Sequence, residues 1–372
     1  MIDSVWEDHR WTALPHLAGT ARTDVCVIGL GGSGLSAIHT LLDHGLNVVG
    51  IDASFVAGGA AGANGGFLLA GSARFYHQTI ETLGRNRARE LYALTVQEID
   101  RMHREMPDIA RRVGSLRIAM SDEEKADCDA QFAAMTADDL LVKRYRGTEG
   151  EGLLIPTDAV FNPLARCRRL AHSALQRGAR LYEQSSAVKL EHGLVHTPRA
   201  RVNCKHIIVA VDGKLDLVVP ELIDRVRTAR LQMLTTEPTN EVRIEHAVYA
   251  RYGYEYWQQL PDGRIVLGGF RDSGGDEEWT HSTAISSPVQ SRLENFLRNH
   301  LKIHAAITHR WAASVGYADN GLPIIEEVRP DVWAIGGYNG TGNVIGTLCG
   351  RAVAEQVATE SSRLFALLKI AG

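Results

Sequence analysis

The sequence has no long apolar run and no excess of charge of either sign. Nothing in its 372 residues approaches the ~18–20 uninterrupted apolar residues of a membrane helix, so we expect no integral membrane segment. The net charge of −4 comes without a long run of like charges, which argues against nucleic acid as a partner. The first residues have neither the basic lead nor the apolar core of a signal peptide.

Cysteine is scarce as well. The five cysteines are an odd, scattered set without CxxC spacing, which is typical of a reducing compartment rather than of a disulfide framework. We therefore expect a cytoplasmic protein. The histidine pairs 192/196 and 300/304 have no evident third ligand, so no metal site is predicted.

Glycine, by contrast, is in excess and clustered. The chain has 36 glycines, about 10% of its residues against an average of roughly 7%. Sixteen of them fall in three glycine-rich segments, residues 29–34, 58–71 and 336–350. The positions of these segments indicate the function.

The first glycine-rich segment joins a short apolar run, Val25–Ile28, to a helix with apolar residues on one face. A second apolar run follows and ends at Asp52, which completes a βαβ unit. In such a unit Gly29 permits the tight turn, Gly31 lets the backbone approach a pyrophosphate, and Gly34 lets helix and strand pack closely. The free amides of the helix would bind the phosphates, and Asp52 a ribose diol.

The second and third glycine-rich segments favour FAD over a nicotinamide cofactor. A nicotinamide enzyme usually continues from its second strand into an ordinary helix, whereas residues 58–71 can wrap a larger cofactor with backbone alone. The loop at 336–342 opens a closing helix. The positive end of that helix would stabilise the negative charge of a reduced isoalloxazine ring.

Dinucleotide-type pieces occur at the start, middle and end of the chain, and residues 225–270 alternate as an antiparallel sheet does. We therefore predict an α/β fold with a Rossmann-like FAD-binding domain interleaved with an α+β substrate domain built on an antiparallel sheet. The predicted FAD-binding domain comprises 1–85, 155–215 and 308–372, and the substrate domain 86–154 and 216–307. Helices are predicted at 77–112 and 288–304, with helix caps at Ser121 and Asn162.

Several blocks in order along the chain carry a family resemblance. They are Ser4–Trp6, Asp24–Gly34, Asp52, Gly59–Gly66, Asn162–Pro163, Thr235–Pro238, Asp262–Gly269, Asp319–Pro323 and Gly336–Gly350. The chain resembles the FAD-dependent D-amino-acid oxidase superfamily, also called glycine/sarcosine oxidase-like, and within it the gamma-glutamylputrescine oxidase type of amine oxidase. The resemblance implies non-covalent FAD and oxidation of a C–N bond to an imine by hydride transfer to flavin N5.

The resemblance also implies which residues bind the cofactor. They are Gly29, Gly31, Gly32, Ser33, Gly34, Asp52, Ala53, Gly62, Ala63, Asn64, Gly65, Gly66, Val188, Ala210, Gly337, Gly340, Thr341, Gly342 and Asn343.

Three departures from the family pattern concern arginine. Ala63 stands where an Arg commonly precedes the Asn, Val315 lies near the place of the carboxylate-binding Arg of amino-acid oxidases, and the loop at Gly340 lacks another. Because Arg is the natural bidentate partner of a carboxylate, these absences favour a small amine, with polyamine derivatives among the candidates. No cysteine stands where sarcosine-oxidase-like relatives attach flavin, and Cys349 is expected in the core.

Four tyrosines are the candidate catalytic residues. A strand over 251–257 would place Tyr252, Tyr254 and Tyr256 on one face, and Tyr338 lies in the third glycine-rich segment. We expect them to form a low-dielectric wall that keeps the substrate amine neutral and positioned. Simple sheet packing of the tyrosines is an equally weighted alternative.

Three functional hypotheses follow. The first is oxidation of a small amine, with oxygen or a membrane quinone as electron acceptor. The second is a D-amino-acid or N-substituted glycine oxidase or dehydrogenase in which Arg271 or Arg310 binds the substrate carboxylate. The third is an FAD-binding protein without turnover. The first two hypotheses differ in one structural point: the second requires the guanidinium of Arg271 or Arg310 to reach the space in front of the flavin.

Overall fold

The computed structural model describes residues 2–319 and 321–369; Asn320, in the block 319–323, lies outside the described residues. The helices are α1 (Gly32–Asp43), α2 (Ala60–Ala63), α3 (Tyr76–Leu83), α4 (Arg85–Glu105), α5 (Asp122–Ala137), α6 (Pro163–Gln176), α7 (Leu215–Val218), α8 (Ser287–Asn295), α9 (Thr347–Thr359) and α10 (Arg363–Leu368).

The strands are β1 (Gly19–Arg22), β2 (Val25–Ile28), β3 (Val48–Ile51), β4 (Phe67–Leu68), β5 (Ala110–Arg111), β6 (Ser115–Ile118), β7 (Lys143–Gly147), β8 (Gly150–Ile155), β9 (Ala159–Phe161), β10 (Arg180–Tyr182), β11 (Lys189–Glu191), β12 (Leu194–His196), β13 (Ala200–Asn203), β14 (His206–Val209), β15 (Val226–Thr236), β16 (Ala247–Ala250), β17 (Glu255–Gln259), β18 (Ile265–Gly269), β19 (Ile307–Ala318), β20 (Ile324–Arg329) and β21 (Val332–Gly336).

A six-stranded sheet in the order β10-β3-β2-β14-β21-β20 forms the first layer, with every pair parallel except β20–β21. Strand β2 is buried on both faces: Val25 and Val27 pack with α1, α6 and α9, whereas Cys26 and Ile28 pack with a small sheet, β1-β13-β12-β11. Burial on both faces explains the short unbroken apolar run in the sequence. The predicted βαβ unit, β2-α1-β3, lies at the centre of this sheet.

The second layer is an eight-stranded sheet in the order β19-β15-β18-β17-β16-β6-β8-β7, antiparallel except for β6–β16. One face packs against α8, where Trp257 and Leu267 meet Leu293. The other face looks towards the first sheet. The predicted fold class is confirmed. Strand β19 pairs with β15 from Ala318 to Ile307 within this sheet, although the predicted boundaries placed 308–318 with the FAD-binding domain.

Some local predictions need correction. The helix predicted over 77–112 is two helices, α3 and α4, because the chain adopts a φ of 77° at Gly84, and it ends at Glu105. Helix α8 ends at Asn295 and a wider turn continues only to His300. The strand predicted over 251–257 begins at Glu255, because Arg251 and Tyr252 adopt left-handed φ values of 49° and 57°.

Both predicted helix caps are present. The Asn162 side chain accepts a hydrogen bond from the Ala165 amide at 3.0 Å, and Ser121 Oγ accepts one from the Glu124 amide at 3.1 Å. The Glu124 carboxylate accepts from the amide of Met120 rather than from that of Ser121. Within residues 2–319 and 321–369, no helix has both the length and the apolarity to cross a membrane.

Candidate flavin and substrate site

A cavity of about 1160 Å³ lies where the carboxyl ends of the parallel strands face the eight-stranded sheet. Its wall contains residues from all three glycine-rich segments, together with Asp52 after β3 and Ala210 after β14. The opposite part of the wall comes from the large sheet, including Tyr249 and Tyr256. The glycine-rich segments predicted to bind the cofactor and the sheet predicted to bind the substrate thus line one cavity.

The first glycine-rich segment is shaped by close backbone approach. A Cβ on Gly29, whose φ is 104°, would lie 2.4 Å from the Ala210 carbonyl oxygen, and one on Gly34 would lie 1.9 Å from that of Gly29. Residue Gly31 caps α1 without a side chain, so the first amides of the helix lack a side-chain acceptor there. Such a helix start fits the diphosphate of a dinucleotide.

The carboxylate of Asp52 ties the second strand to this turn. It accepts hydrogen bonds of 2.8 Å from the amides of Leu30 and Ser54. Burial raises the pKa of Asp52, and these amides oppose that shift. Oδ1 also accepts from Ser54 Oγ at 3.2 Å, whereas among the described residues Oδ2 accepts only from Leu30 and has a further acceptor position for a ribose hydroxyl.

Sequence reasoning missed Arg166 on α6. Its side chain is only 4% exposed, and Nη1 lies 3.2 Å from where a Cβ on Gly32 would be. It donates to Thr347 Oγ1 at 3.1 Å and forms no ion pair with a carboxylate in the described parts of the chain. Burial lowers the pKa of Arg166, yet a guanidinium remains a cation in proteins. A buried cation beside the start of α1 fits an anionic cofactor group.

The second and third glycine-rich segments are joined by a pair of amide side chains. The Asn64 amide donates to Asn343 Oδ1 at 3.0 Å, and the Asn343 amide donates to Asn64 Oδ1 at 2.9 Å. Two tryptophans hold the backbone nearby: Trp6 donates to the Asn64 carbonyl at 2.8 Å and Trp311 to that of Ala63 at 2.7 Å. These contacts keep both segments at the cavity. Together with the uncapped helix and Arg166, they fit FAD.

Most predicted cofactor residues lie in the cavity wall. These are Gly29, Gly31, Gly32, Ser33, Asp52, Ala53, Asn64, Gly65, Ala210, Gly340, Thr341, Gly342 and Asn343. Residues Gly34, Gly62, Ala63, Gly66, Val188 and Gly337 lie outside it.

Gly62 and Val188 show why some predicted cofactor residues lie outside the cavity wall. A Cβ on Gly62 would lie 2.4 Å from the Ala57 carbonyl oxygen, so this glycine serves packing, as Gly34 does. The Val188 side chain is 61% exposed, whereas Ser186 and Ala187 lie in the wall. Because the chain turns outward into β11 after Ala187, we expect Ala187 rather than Val188 to contact the cofactor.

A buried carboxylate, Asp212, holds the third glycine-rich segment against the large sheet. It accepts hydrogen bonds from the amides of Gly316 on β19 at 3.1 Å and Tyr338 at 3.2 Å. Burial raises the pKa of Asp212 to about 6, and the surrounding amides oppose the shift. Sequence reasoning missed this residue, although an Asp-Gly pair directly after a buried strand was a usable signal.

The four predicted tyrosines all reach the cavity wall, but not as one strand face. The Tyr256 ring lies beside two glycines: a Cβ would be 3.2 Å from the ring at Gly65 and 2.4 Å from it at Gly268. Burial raises the pKa of Tyr256. Tyr254 precedes β17, and Tyr252 is 47% exposed with its hydroxyl on Asp127. Tyr338 is buried beside Gly342.

The two candidate arginines differ in position. Arg310 pairs with Glu294 and Gln290 and lies outside the cavity wall. Arg271 is in the wall, with its guanidinium carbon 4.4 Å from the Trp279 ring centroid, 5.2 Å from Tyr317 and 5.4 Å from Tyr254.

No carboxylate in the described residues forms an ion pair with Arg271. The wall also contains Val315, which stands near the place of the usual carboxylate-binding arginine. Arg271 therefore supplies a cation to the cavity from a different segment, the turn that follows β18.

Comparison with known proteins agrees with this site. A family model described as FAD dependent oxidoreductase matches residues 24–356. The Gamma-glutamylputrescine oxidoreductase of Escherichia coli (strain K12) is 27% identical over 377 aligned residues, which cover 93% of this chain and 86% of that protein.

Two solved structures show the same fold. The L-proline dehydrogenase from P. horikoshii has a TM-score of 0.74 at 18% identity, covering 94% of this chain and 96% of that chain. The glycine oxidase from Geobacillus kaustophilus has a TM-score of 0.73 at 17% identity, covering 95% of this chain and 100% of that chain. Because the family match spans most of the sequence, the chain is an enzyme that uses FAD rather than a binding protein without turnover. The chain belongs to the FAD-dependent oxidoreductase family, and the resemblance to the D-amino-acid oxidase superfamily is confirmed.

Proposed function

We propose that this enzyme oxidises the C–N bond of a small substrate that carries a carboxylate next to its amine, with Arg271 binding that carboxylate. This is the second of the three hypotheses, an amino-acid or N-substituted glycine oxidase or dehydrogenase. FAD bound in this cavity would supply the hydride acceptor for this oxidation. The substrate carbon loses a hydride and its nitrogen releases a proton to solvent, which leaves an imine that water hydrolyses.

The observation that carries the proposal is the environment of Arg271. Its guanidinium lies among the rings of Tyr254, Trp279 and Tyr317 and donates a hydrogen bond of 3.4 Å to Tyr254 Oη. Aromatic rings attract the guanidinium but do not neutralise its charge. A substrate carboxylate would gain a bidentate, charge-assisted pair there.

Neighbouring tyrosines give this space a low dielectric. Burial raises the pKa of Tyr256 and of Tyr317, so both remain neutral hydroxyls at physiological pH. Neutral hydroxyls can hydrogen-bond a neutral amine without adding a competing charge. Exclusion of water around the amine favours its uncharged form, which is the form that loses a hydride.

A second candidate is oxidation of an amine without a carboxylate, such as a polyamine derivative. Two observations favour it: the name of the Escherichia coli relative, which specifies gamma-glutamylputrescine, and Val315 in place of an arginine. Oxygen or a quinone as electron acceptor and a cytoplasmic location stay predictions.

Matched substrate pairs separate the two candidates. We would mix the holoenzyme anaerobically with proline and pyrrolidine, and with D-alanine and ethylamine, and follow bleaching of the flavin. The carboxylate-bearing member of at least one pair should reduce the flavin. Arg271→Gln should raise its half-saturating concentration by about tenfold to a hundredfold, because one charged hydrogen-bond partner is lost.

Arg227 provides the matched control. Its guanidinium carbon lies 4.0 Å from the same Trp279 ring, but it is outside the cavity wall. Arg227→Gln should therefore leave the half-saturating concentration unchanged. Equal reduction by both members of every pair, with no effect of Arg271→Gln, would mean that the amine hypothesis is correct.

A further inference from the structure

Another arginine, Arg117 on β6, lies in the wall of the same cavity, two strands away from Tyr256. The strand register places Arg117 beside Tyr249, Tyr249 beside Tyr256, and Tyr256 beside Gly268. Residues in one such row project to the same face of a sheet. Arg117, Tyr249 and Tyr256 all lie in the cavity wall.

The partners of Arg117 are all neutral. Its Nε donates to Tyr249 Oη at 2.8 Å and its Nη1 to Gln131 Oε1 at 3.0 Å. The guanidinium carbon lies 4.0 Å from the Phe75 ring centroid and 4.9 Å from that of Tyr249. None of the carboxylates in residues 2–319 and 321–369 forms an ion pair with it.

The carboxyl group of Asp158 forms no ion pair with Arg117, although burial raises its pKa and the nearby guanidinium opposes that larger effect. Asp158 lies in the wall of a small polar cavity that shares Arg117, Tyr249 and Ser72 with the large one. Its oxygens accept hydrogen bonds from Ser115 Oγ at 2.6 Å and from the Ala70 amide at 2.8 Å. The guanidinium is therefore positioned by neutral groups, with its charge available to a ligand.

Arg117 and Arg271, neither of which forms an ion pair with a carboxylate of the described residues, lie on either side of the tyrosines. Strands in a sheet are about 4.8 Å apart, so Arg117 starts roughly 10 Å from Tyr256, two strands away. Arg271 follows the next strand, β18. A ligand extended across β17 and β16 would therefore run from the Arg271 side of the cavity towards Arg117, past the tyrosines.

We propose that Arg117 forms a second anion-binding subsite, so that the substrate carries one carboxylate at Arg271 and a second anionic group on the far side of its C–N bond. The substrate class is thus an amine or amino acid with an anionic group at each end. This inference rests on the proposed function, because it takes Arg271 as the first carboxylate site.

The test uses ligands that the enzyme cannot oxidise, with the oxidised holoenzyme. Glutarate and adipate, and as matched monocarboxylates pentanoate and hexanoate, are titrated while the flavin absorbance is followed. Each dicarboxylate should bind about tenfold or more tightly than its monocarboxylate partner, because it makes one more charged pair. Arg117→Gln should abolish this preference, and Arg117→Lys should retain part of it. Arg146→Gln, an exposed arginine on β7, should behave as wild type.

The outcomes separate the two proposals. If Arg271→Gln weakens every acid but dicarboxylates bind no better than monocarboxylates, the second subsite is wrong and the proposed function stands. If Arg271→Gln leaves monocarboxylate binding unchanged, the proposed function itself is wrong. If the dicarboxylate preference persists in Arg117→Gln, another group supplies the second site and the inference is overturned.

Discussion

Arg166 is a buried cation that touches the start of α1 but no carboxylate in the described parts of the chain. A charge in such a place is costly unless an anion accompanies it. The cofactor diphosphate is the anion that this position fits. An Arg166–diphosphate contact would add a side-chain interaction to a glycine turn that otherwise binds the diphosphate through backbone amides.

Arg166→Met should therefore weaken FAD binding to the apoprotein by about tenfold to a hundredfold, since a charged hydrogen-bond partner is lost. Binding is measured by quenching of flavin fluorescence. ADP, which has the diphosphate, should bind more weakly as well, whereas riboflavin, which lacks it, should not. Arg169→Met is the control, because Arg169 lies on the same helix but is exposed and pairs with Asp108. Unchanged FAD affinity in Arg166→Met would contradict the assignment.

Gly34 shows how little space the nucleotide-binding turn leaves. Gly34→Ala would bring a Cβ to 1.9 Å from the Gly29 carbonyl oxygen. We expect the free energy of unfolding of the apoprotein, measured in urea, to fall by about 1–3 kcal/mol or more. Gly59→Ala is the control, because a Cβ there has no neighbour within 4 Å. Similar free energies of unfolding for the two variants would show that the turn accommodates a Cβ at Gly34 without loss of stability.

At the scale of elements, separate loops are held together by side chains far apart in sequence. The Asn64 and Asn343 amides join the second and third glycine-rich segments by reciprocal hydrogen bonds of 3.0 and 2.9 Å. Each segment alone is a flexible glycine loop. The pairing makes their positions depend on each other.

Asn64→Ala and Asn343→Ala should therefore be non-additive. In a double-mutant cycle, the two changes together should destabilise the holoenzyme less than the sum of the single changes, by about 0.5–3 kcal/mol. The free energy of unfolding in urea gives the coupling. A coupling energy near zero would mean that the two segments are held independently.

The turn at 251–253 illustrates a limit of reading elements from a pattern. Alternating tyrosines favour a strand, yet Arg251 donates to the carboxylates of both Glu255 and Asp272. These ion pairs draw the chain into left-handed conformations before β17 begins. Because Asp272 comes from a different part of the chain, the local pattern contains no sign of this competition.

At the scale of the whole molecule, buried carboxyl groups couple stability to pH. Burial raises the pKa of Asp158 to about 7, against hydrogen bonds from Ser115 and Ala70 that lower it. A carboxyl group with a raised pKa binds protons more tightly in the folded protein than in the unfolded chain. Its contribution to stability is present below about pH 4 and is lost as the pH rises through about 7.

Asp158→Asn removes this dependence. Relative to wild type, the variant should gain about 2–3 kcal/mol in free energy of unfolding between about pH 5 and about pH 8. Urea denaturation of both proteins at each pH gives the difference in free energy of unfolding between the variant and wild type. A difference that does not change with pH would show that Asp158 titrates normally.

The sequence by itself determined the parts of this protein that depend on near neighbours. The βαβ unit, the glycine turn and the caps at Ser121 and Asn162 follow from residue types at short spacing, because the backbone of such segments has few alternatives. The choice of FAD follows from three glycine-rich segments, each recognisable from its own residues. The family resemblance added further predicted cofactor residues, most of which lie in the cavity wall.

Only the tertiary structure decided which charges face the cavity. Arg117, Arg166, Asp212 and Arg271 come from separate strands and helices, and nothing adjacent to them in sequence shows whether their charges are neutralised. Neutralisation depends on packing between distant segments. Ion pairing removes Arg310 from the substrate space, and aromatic packing leaves Arg271 available there. The proposed substrate class therefore depends on long-range packing, whereas the cofactor follows from local pattern.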